Sequence, residues 1–262
     1  MTRFDRDTAV TPLGPDRFQG QIDRGWWVVH APNGGYVAAL FLRALAQRVP
    51  VERAPRSLTI HFTAPPAEGP VEIETQVERT GRSLTTVTGR MTQDDRLVAL
   101  GVVAFSVSRA GPDWNHAPMP EVAPPEACES FPPMIPIHER FDYRWAVGER
   151  PGSGAKRALV GGWIRSAEPR PADAPLVTAI CDAWPPPSFA MRPREDLGAV
   201  PTIDLTIHFR RTLPLNETGP GDFVLAVFES RVCEEGFVEE DGQIWSRNGV
   251  LLAQSRQLAV IV

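Results

Sequence analysis

Two stretches of the chain repeat the same five residues in the same alternation, Leu58-Thr59-Ile60-His61-Phe62 and Leu205-Thr206-Ile207-His208-Phe209. A period of two puts the apolar side chains on one face and the polar ones on the other, so each stretch is expected as a half-buried strand. The surroundings repeat as well. Before the first, Asn33-Gly34-Gly35-Tyr36 opens an apolar, Ala-rich run over residues 37–48, which predicts a buried helix ended by Pro50. Before the second, the apolar run 176–184 predicts a short helix stopped by Pro185-Pro186-Pro187, because proline lacks the N–H donor and restricts the residue before it. Strands are expected after the first repeat near 71–79, 83–92 and 97–107, and after the second near 223–232, 237–245 and 250–262. Turn signals at Gly81, Asp94-Asp95 and Asn248-Gly249 separate them. Residues 111–136 are crowded with prolines and are expected as a linker between an N-terminal unit, 1–110, and a C-terminal unit, 137–262. One helix against an antiparallel sheet, twice over, implies that the sheets join edge to edge or that the helices pack across a shared core; the pattern does not choose.

Composition narrows the function classes. With 27 basic against 32 acidic residues and a net charge of −5, there is no basic excess to hold a polyanion, so nucleic acid is not expected as a partner. No apolar run approaches the roughly 20 residues that span a bilayer, and the start from Met1 to Asp7 is charged, so no membrane partner is expected and the protein is expected to be cytoplasmic. Cys128, Cys181 and Cys233 are widely spaced and odd in number, which favours buried thiols over disulfides or a zinc site. His30, His116 and His138 lack metal-ligand spacing, and no metal is expected. His61 and His208 recur with the repeat, as strand residues do. No Gly-X-Ser-X-Gly elbow is present.

Pro32-Asn33-Gly34-Gly35-Tyr36 before a helix, Asp182 near the end of the second helix, Thr202-Ile203-Asp204 opening the second repeated strand, and Gly249-Val250-Leu251-Leu252-Ala253 leading to Gln257 together resemble the bacterial acyl-CoA thioesterase II family. The resemblance covers nearly the whole chain apart from the linker, and departs from the family where Pro185 to Pro187 follow Asp182 closely. It implies an α+β double hotdog, in which each half wraps a sheet around a helix and the two sheets become one. It also implies hydrolysis of an acyl-CoA to free acid and coenzyme A without a cofactor, a catalytic trio of Asp182, Thr202 and Gln257 holding a water, and a homodimer or higher homo-oligomer.

The residues have their own chemistry. Asp182 ends an apolar helix, where the dipole and burial both disfavour an anion, so polar neighbours must compensate if it is to act as a base; the alternative is an exposed Asp in a frayed turn. Gln257 shares a strand face with Leu251, Ala253, Ser255, Ala259 and Ile261, and a buried amide there needs partners. It is either a site residue or a tie between strands. Matching residues 97–100 to 250–253 places Ala104 at the position of Gln257, which puts the site in one half only. Thr202 rests on the resemblance. Gly34 and Gly35 open a helix with free backbone N–H groups, and the fused fold points Gly35 and Tyr36 at the substrate carbonyl; alternatively the glycines only make the turn. Arg210 and Arg211 are candidate contacts for coenzyme A phosphates or an exposed strand end, and Trp26, Trp27 and Phe41 either line an acyl tunnel or fill core. A hotdog hydratase and a non-catalytic acyl-CoA-binding protein remain as alternatives.

Overall fold

The computed structural model describes residues 1–262. The strands are β1 (Thr11–Pro12), β2 (Arg17–Ile22), β3 (Ala54–Phe62), β4 (Gly69–Thr80), β5 (Leu84–Gln93), β6 (Arg96–Ser106), β7 (Glu129–Ser130), β8 (Phe141–Gly148), β9 (Ala158–Ser166), β10 (Thr202–Phe209), β11 (Val224–Ser230), β12 (Cys233–Glu234), β13 (Phe237–Ser246) and β14 (Leu251–Val260). The helices are α1 (Arg3–Asp7), α2 (Gly34–Ala46), α3 (Ala174–Ile180) and α4 (Ser188–Met191). All the strands belong to one antiparallel sheet in the order β1-β2-β4-β5-β6-β3-β10-β14-β13-β11-β9-β8-β7, with β12 beside β13.

The repeated pentapeptide is the seam. β3 and β10 pair antiparallel with Leu58 opposite Ile207, Thr59 opposite Thr206 and Ile60 opposite Leu205. The two threonine hydroxyls meet at 3.1 Å. Leu58, Ile60, Leu205 and Ile207 are buried, while His61 and His208 are exposed on the other face, as the alternation requires. Both arrangements left open by the sequence occur together, because α2 also packs on α3 inside the wrapped sheet, within a core of 48 buried residues drawn from both halves. This is a double hotdog.

Several elements differ from the expectation. α3 ends at Ile180 although the apolar run continues to Trp184, so Asp182 stands in the turn that follows. Pro185 to Pro187 lie too close behind for another helical turn to form. β8 and β9 were not anticipated; β9 is interrupted by Gly161 and Gly162, which removes the side chains that would mark its alternation. The proline-rich stretch contributes β7, which pairs with β8 at the sheet edge. Of the cysteines, all free, Cys181 is buried but Cys233 is exposed on β12. Trp26, Trp27 and Phe41 fill core, with Trp26 stacked on Tyr36 at 4.8 Å. No helix is long and apolar enough to cross a membrane.

Candidate active site

The compensation that Asp182 requires comes from the other half of the molecule. The start of α2 faces it: the Gly35 N–H donates to Asp182 Oδ2 at 2.9 Å, and the Asn33 side-chain amide donates to the same oxygen at 3.0 Å and to the Asp182 carbonyl at 2.6 Å. An anion beyond the C-terminal end of one helix is therefore held at the N-terminal end of another, where the dipole favours it. Burial pushes the Asp182 carboxyl up to about 6, while hydrogen bonding from Gly35, Gln257, Gly34 and Asn33 pulls in the opposite direction. The result is a carboxyl group that changes charge just below neutrality.

The two glycines are required for this approach. A β-carbon on Gly35 would lie 2.6 Å from the Ala179 carbonyl oxygen and 2.9 Å from Asp182 Cβ, and one on Gly34 would lie 3.0 Å from Asp182 Oδ2. The close partner is α3 and its aspartate. This corrects the expected carbonyl-holding role of Gly35 and Tyr36: the Gly35 N–H is taken by Asp182, and the Tyr36 N–H caps the helix by donating to Asn33 Oδ1 at 2.9 Å. The Tyr36 ring is buried, with its hydroxyl 2.8 Å from the carbonyls of Asp7 and Gln21.

Gln257 lies on the inward face of β14, buried with Ala253, Ser255 and Ala259; Leu251, expected on the same face, packs instead with Trp163, Leu225 and Trp245 on the other side of the sheet, because the ladder with β13 slips by one residue between Ile244 and Trp245. Thr202 at the start of β10 donates its hydroxyl to Gln257 Oε1 at 2.9 Å, and Gln257 Nε2 donates to Glu240 Oε1 on β13 at 2.6 Å. Asp182, Thr202, Glu240 and Gln257 line one cavity of about 30 Å³, walled also by Trp184, Pro186, Pro187 and Ser188. That is more than the roughly 10–15 Å³ that a bound water requires, so the cavity has room for one. Glu240 was missed in the sequence because it sits in the acidic run Glu239-Glu240-Asp241, which reads as a solvated edge. Strand parity was the available signal, since Val238, Gly242 and Ile244 share its face and are buried. Enclosure pushes the Glu240 carboxyl well above the usual carboxylate range, the negative charge of Asp182 pushes it further, and the Gln257 hydrogen bond opposes both.

The ladders also correct the match between halves. Leu205 pairs with Gln257 where its counterpart Leu58 pairs with Val103, so Val103 rather than Ala104 occupies the equivalent place. The apolar runs tolerate a one-residue slip in sequence, but in a strand that slip exchanges the faces. The first half therefore carries a buried valine in the place of the amide.

The sequence profile of the acyl-CoA thioesterase N-terminal domain matches residues 23–107, and that of the acyl-CoA thioesterase C-terminal domain matches residues 115–261. The chain belongs to the acyl-CoA thioesterase family. A hot dog fold protein of unknown function from Alicyclobacillus acidocaldarius is 28% identical, with a TM-score of 0.89 over 100% of this chain and 98% of that one. A candidate thioesterase II from Thermobifida fusca YX is also 28% identical, with a TM-score of 0.86 over 100% of this chain and 98% of that one. An uncharacterized protein of Mycobacterium tuberculosis is 24% identical over 98% of both chains.

The remaining candidates in this member of the family lie outside the cavity. His30 and His116 are exposed. His138 is buried against Phe131 and Tyr143, accepts the Met134 N–H at 3.1 Å, and is pushed down to about 4 by burial. No cluster of His, Cys, Asp and Glu side chains is arranged to hold a metal ion. Arg210 is exposed and donates to Gln254 at 2.8 Å, and Arg211 pairs with Asp113 at 3.5 Å.

Proposed function

We propose that the protein hydrolyses an acyl-CoA thioester to free acid and coenzyme A, with Asp182 as the base and Thr202 and Gln257 orienting the attacking water. The observation that carries this reading is the convergence of an aspartate, poised at about 6, with a hydroxyl-amide pair on one cavity with room for a water. Asp182 accepts a proton from the water as its oxygen attacks the thioester carbonyl. When the tetrahedral intermediate collapses, the carbon–sulfur bond breaks and the departing thiolate takes that proton as coenzyme A thiol. With the Gly35 and Tyr36 N–H groups engaged, the donors offered to the carbonyl oxygen are the Trp184 indole N–H and the Ser188 hydroxyl, which line the cavity and have no hydrogen-bond partner.

A panel of acyl-CoA esters of different lengths, scored by release of free thiol, tests the reading. Binding without turnover of any member would favour the non-catalytic alternative. A hydratase has less support because no histidine lines the cavity. We further propose a homodimer or higher homo-oligomer; sedimentation as a monomer at micromolar concentration would contradict it.

A further inference from the structure

Gln257 has two ways of turning its terminal amide, and the Thr202 hydroxyl, which can donate or accept, is compatible with either. Glu240 supplies its second partner. Its Oε1 lies 2.6 Å from Gln257 Nε2 and accepts from it, with the amide oxygen toward the Thr202 hydroxyl at 2.9 Å. Glu240 also brings a second carboxyl group to the cavity that holds Asp182. Two carboxyls on one small cavity do not both ionise readily.

The surroundings decide which of them keeps the proton. Asp182 receives the Gly35 N–H, the Asn33 amide and the start of α2. Glu240 receives the Gln257 amide, and the charged groups bearing on it are acidic: Asp182 beyond the end of α3, and Glu239 and Asp241 on its own strand. The end of α3 also presents the neutral Cys181 thiol, β10 presents the Thr202 hydroxyl and β11 the Ser230 hydroxyl. On β14 the neighbouring cation is Arg256, but its guanidinium is directed to the opposite face, 3.3 Å from Asp241 and 3.9 Å from Glu239.

We infer that Glu240 is a positioning residue that works in its protonated form, holding the Gln257 amide N–H through its carbonyl oxygen while leaving Asp182 to carry the single negative charge of the site. The inference rests on the hydrolase reading for its effect on rate, but not for the protonation itself. Ionisation of Glu240 at alkaline pH would set a second negative charge beside the attacking oxygen and slow the reaction.

The test combines carbon-13 NMR of the glutamate side-chain carboxyls with kinetics on intact protein. In the wild type one glutamate carboxyl should remain protonated at neutral pH, and its signal should vanish in Glu240→Gln. A wild-type spectrum with every glutamate ionised at pH 7 overturns the inference whatever the activity. In kinetics, Glu240→Leu should lower kcat about tenfold, the equivalent of one hydrogen bond of ~1.4 kcal/mol, with KM little changed. Glu240→Gln should recover most of that loss and abolish the alkaline fall in rate while keeping the acid limb set by Asp182. An alkaline fall that persists in Glu240→Gln overturns the inference. Wild-type protein that hydrolyses no acyl-CoA but retains the protonated glutamate would sink the hydrolase reading and uphold the protonation of Glu240.

Discussion

In the C-terminal half, Asp182, Thr202, Glu240 and Gln257 build a polar cavity; in the N-terminal half the equivalent positions hold Leu42, Pro55, Val87 and Val103. The equivalences for the strands follow from the ladders, in which Pro55 meets Phe105 as Thr202 meets Ala259, and Val87 meets Val103 as Glu240 meets Gln257. Leu42 and Asp182 match when counted from the helix caps Asn33 and Asp173. Leu42, Val87 and Val103 are buried. The helix starts differ in the same sense. α2 begins with Gly34 and Gly35, whereas α3 begins with Ala174 and Pro175, which offers no N–H at all. At the other end of the helix pair Arg43 and Arg170 meet Asp5 of α1 at 3.0 and 3.1 Å, and Arg170 meets Asp173 at 2.7 Å. One backbone plan thus carries a polar cavity at one place and a packed, ion-paired wall at its counterpart. The fold supplies the scaffold; in the proposed reading, four side chains and two glycines supply the chemistry.

The largest expected effect comes from separating the halves. Asp182, the proposed base, lies in one half and the groups that hold it lie in the other, so residues 1–110 and 137–262 expressed separately should each lack thioesterase activity. Turnover by either alone would break the comparison. Next, Gly35→Ala forces a methyl group against the Ala179 carbonyl oxygen, 2.6 Å away, and backbone cannot yield as a flexible side chain can. A shift of ~1 Å in the base should cost about 100-fold in kcat/KM, accompanied by a loss of roughly 1–3 kcal/mol in denaturant stability. An active, fully stable Gly35→Ala protein would show that the glycines only make the turn.

Copying the first half into the second at one position, Gln257→Val, removes one water-orienting group and leaves the base. A loss of about tenfold in kcat is expected from one hydrogen bond, and unchanged kcat would reduce Gln257 to a tie between strands. A further effect, read in stability and not in rate, depends on pH. The Asp182 carboxyl is raised from 3.8 to about 6 in the folded protein, so its protonated form is the one that folding favours. Its contribution to stability is therefore fully present below about pH 4 and lost as pH rises through about 6. Asp182→Asn, which cannot ionise, should gain on the wild type by up to roughly 3 kcal/mol between pH 4 and 7.5. Equal differences in urea melts at the two pH values would contradict the buried, raised carboxyl.

The seam was legible in the sequence because Leu58 to Phe62 and Leu205 to Phe209 are identical, and identical alternation in two strands needs no tertiary information to be seen. The inward amide Gln257 was legible for the same reason, as one polar residue on an apolar face. Three features were not. Glu240 was camouflaged by Glu239 and Asp241, whose charges suggest an exposed edge although every second residue of β13 turns inward. Ala104 was matched to Gln257 because register inside an apolar run is fixed by pairing across strands, not along the chain. The Gly35 N–H was assigned to a substrate carbonyl because nothing local reveals that Asp182, 147 residues away, would already occupy it.

The most direct test is kcat for hydrolysis of an acyl-CoA that the wild type turns over, measured for Asp182→Asn beside Asp204→Asn, whose side chain lies outside the cavity on the strand that carries Thr202. Removal of the general base should lower kcat by about 10²- to 10⁴-fold with little change in KM, while Asp204→Asn remains close to the wild type. Equal activity of the two variants would contradict the assignment of Asp182 as the base.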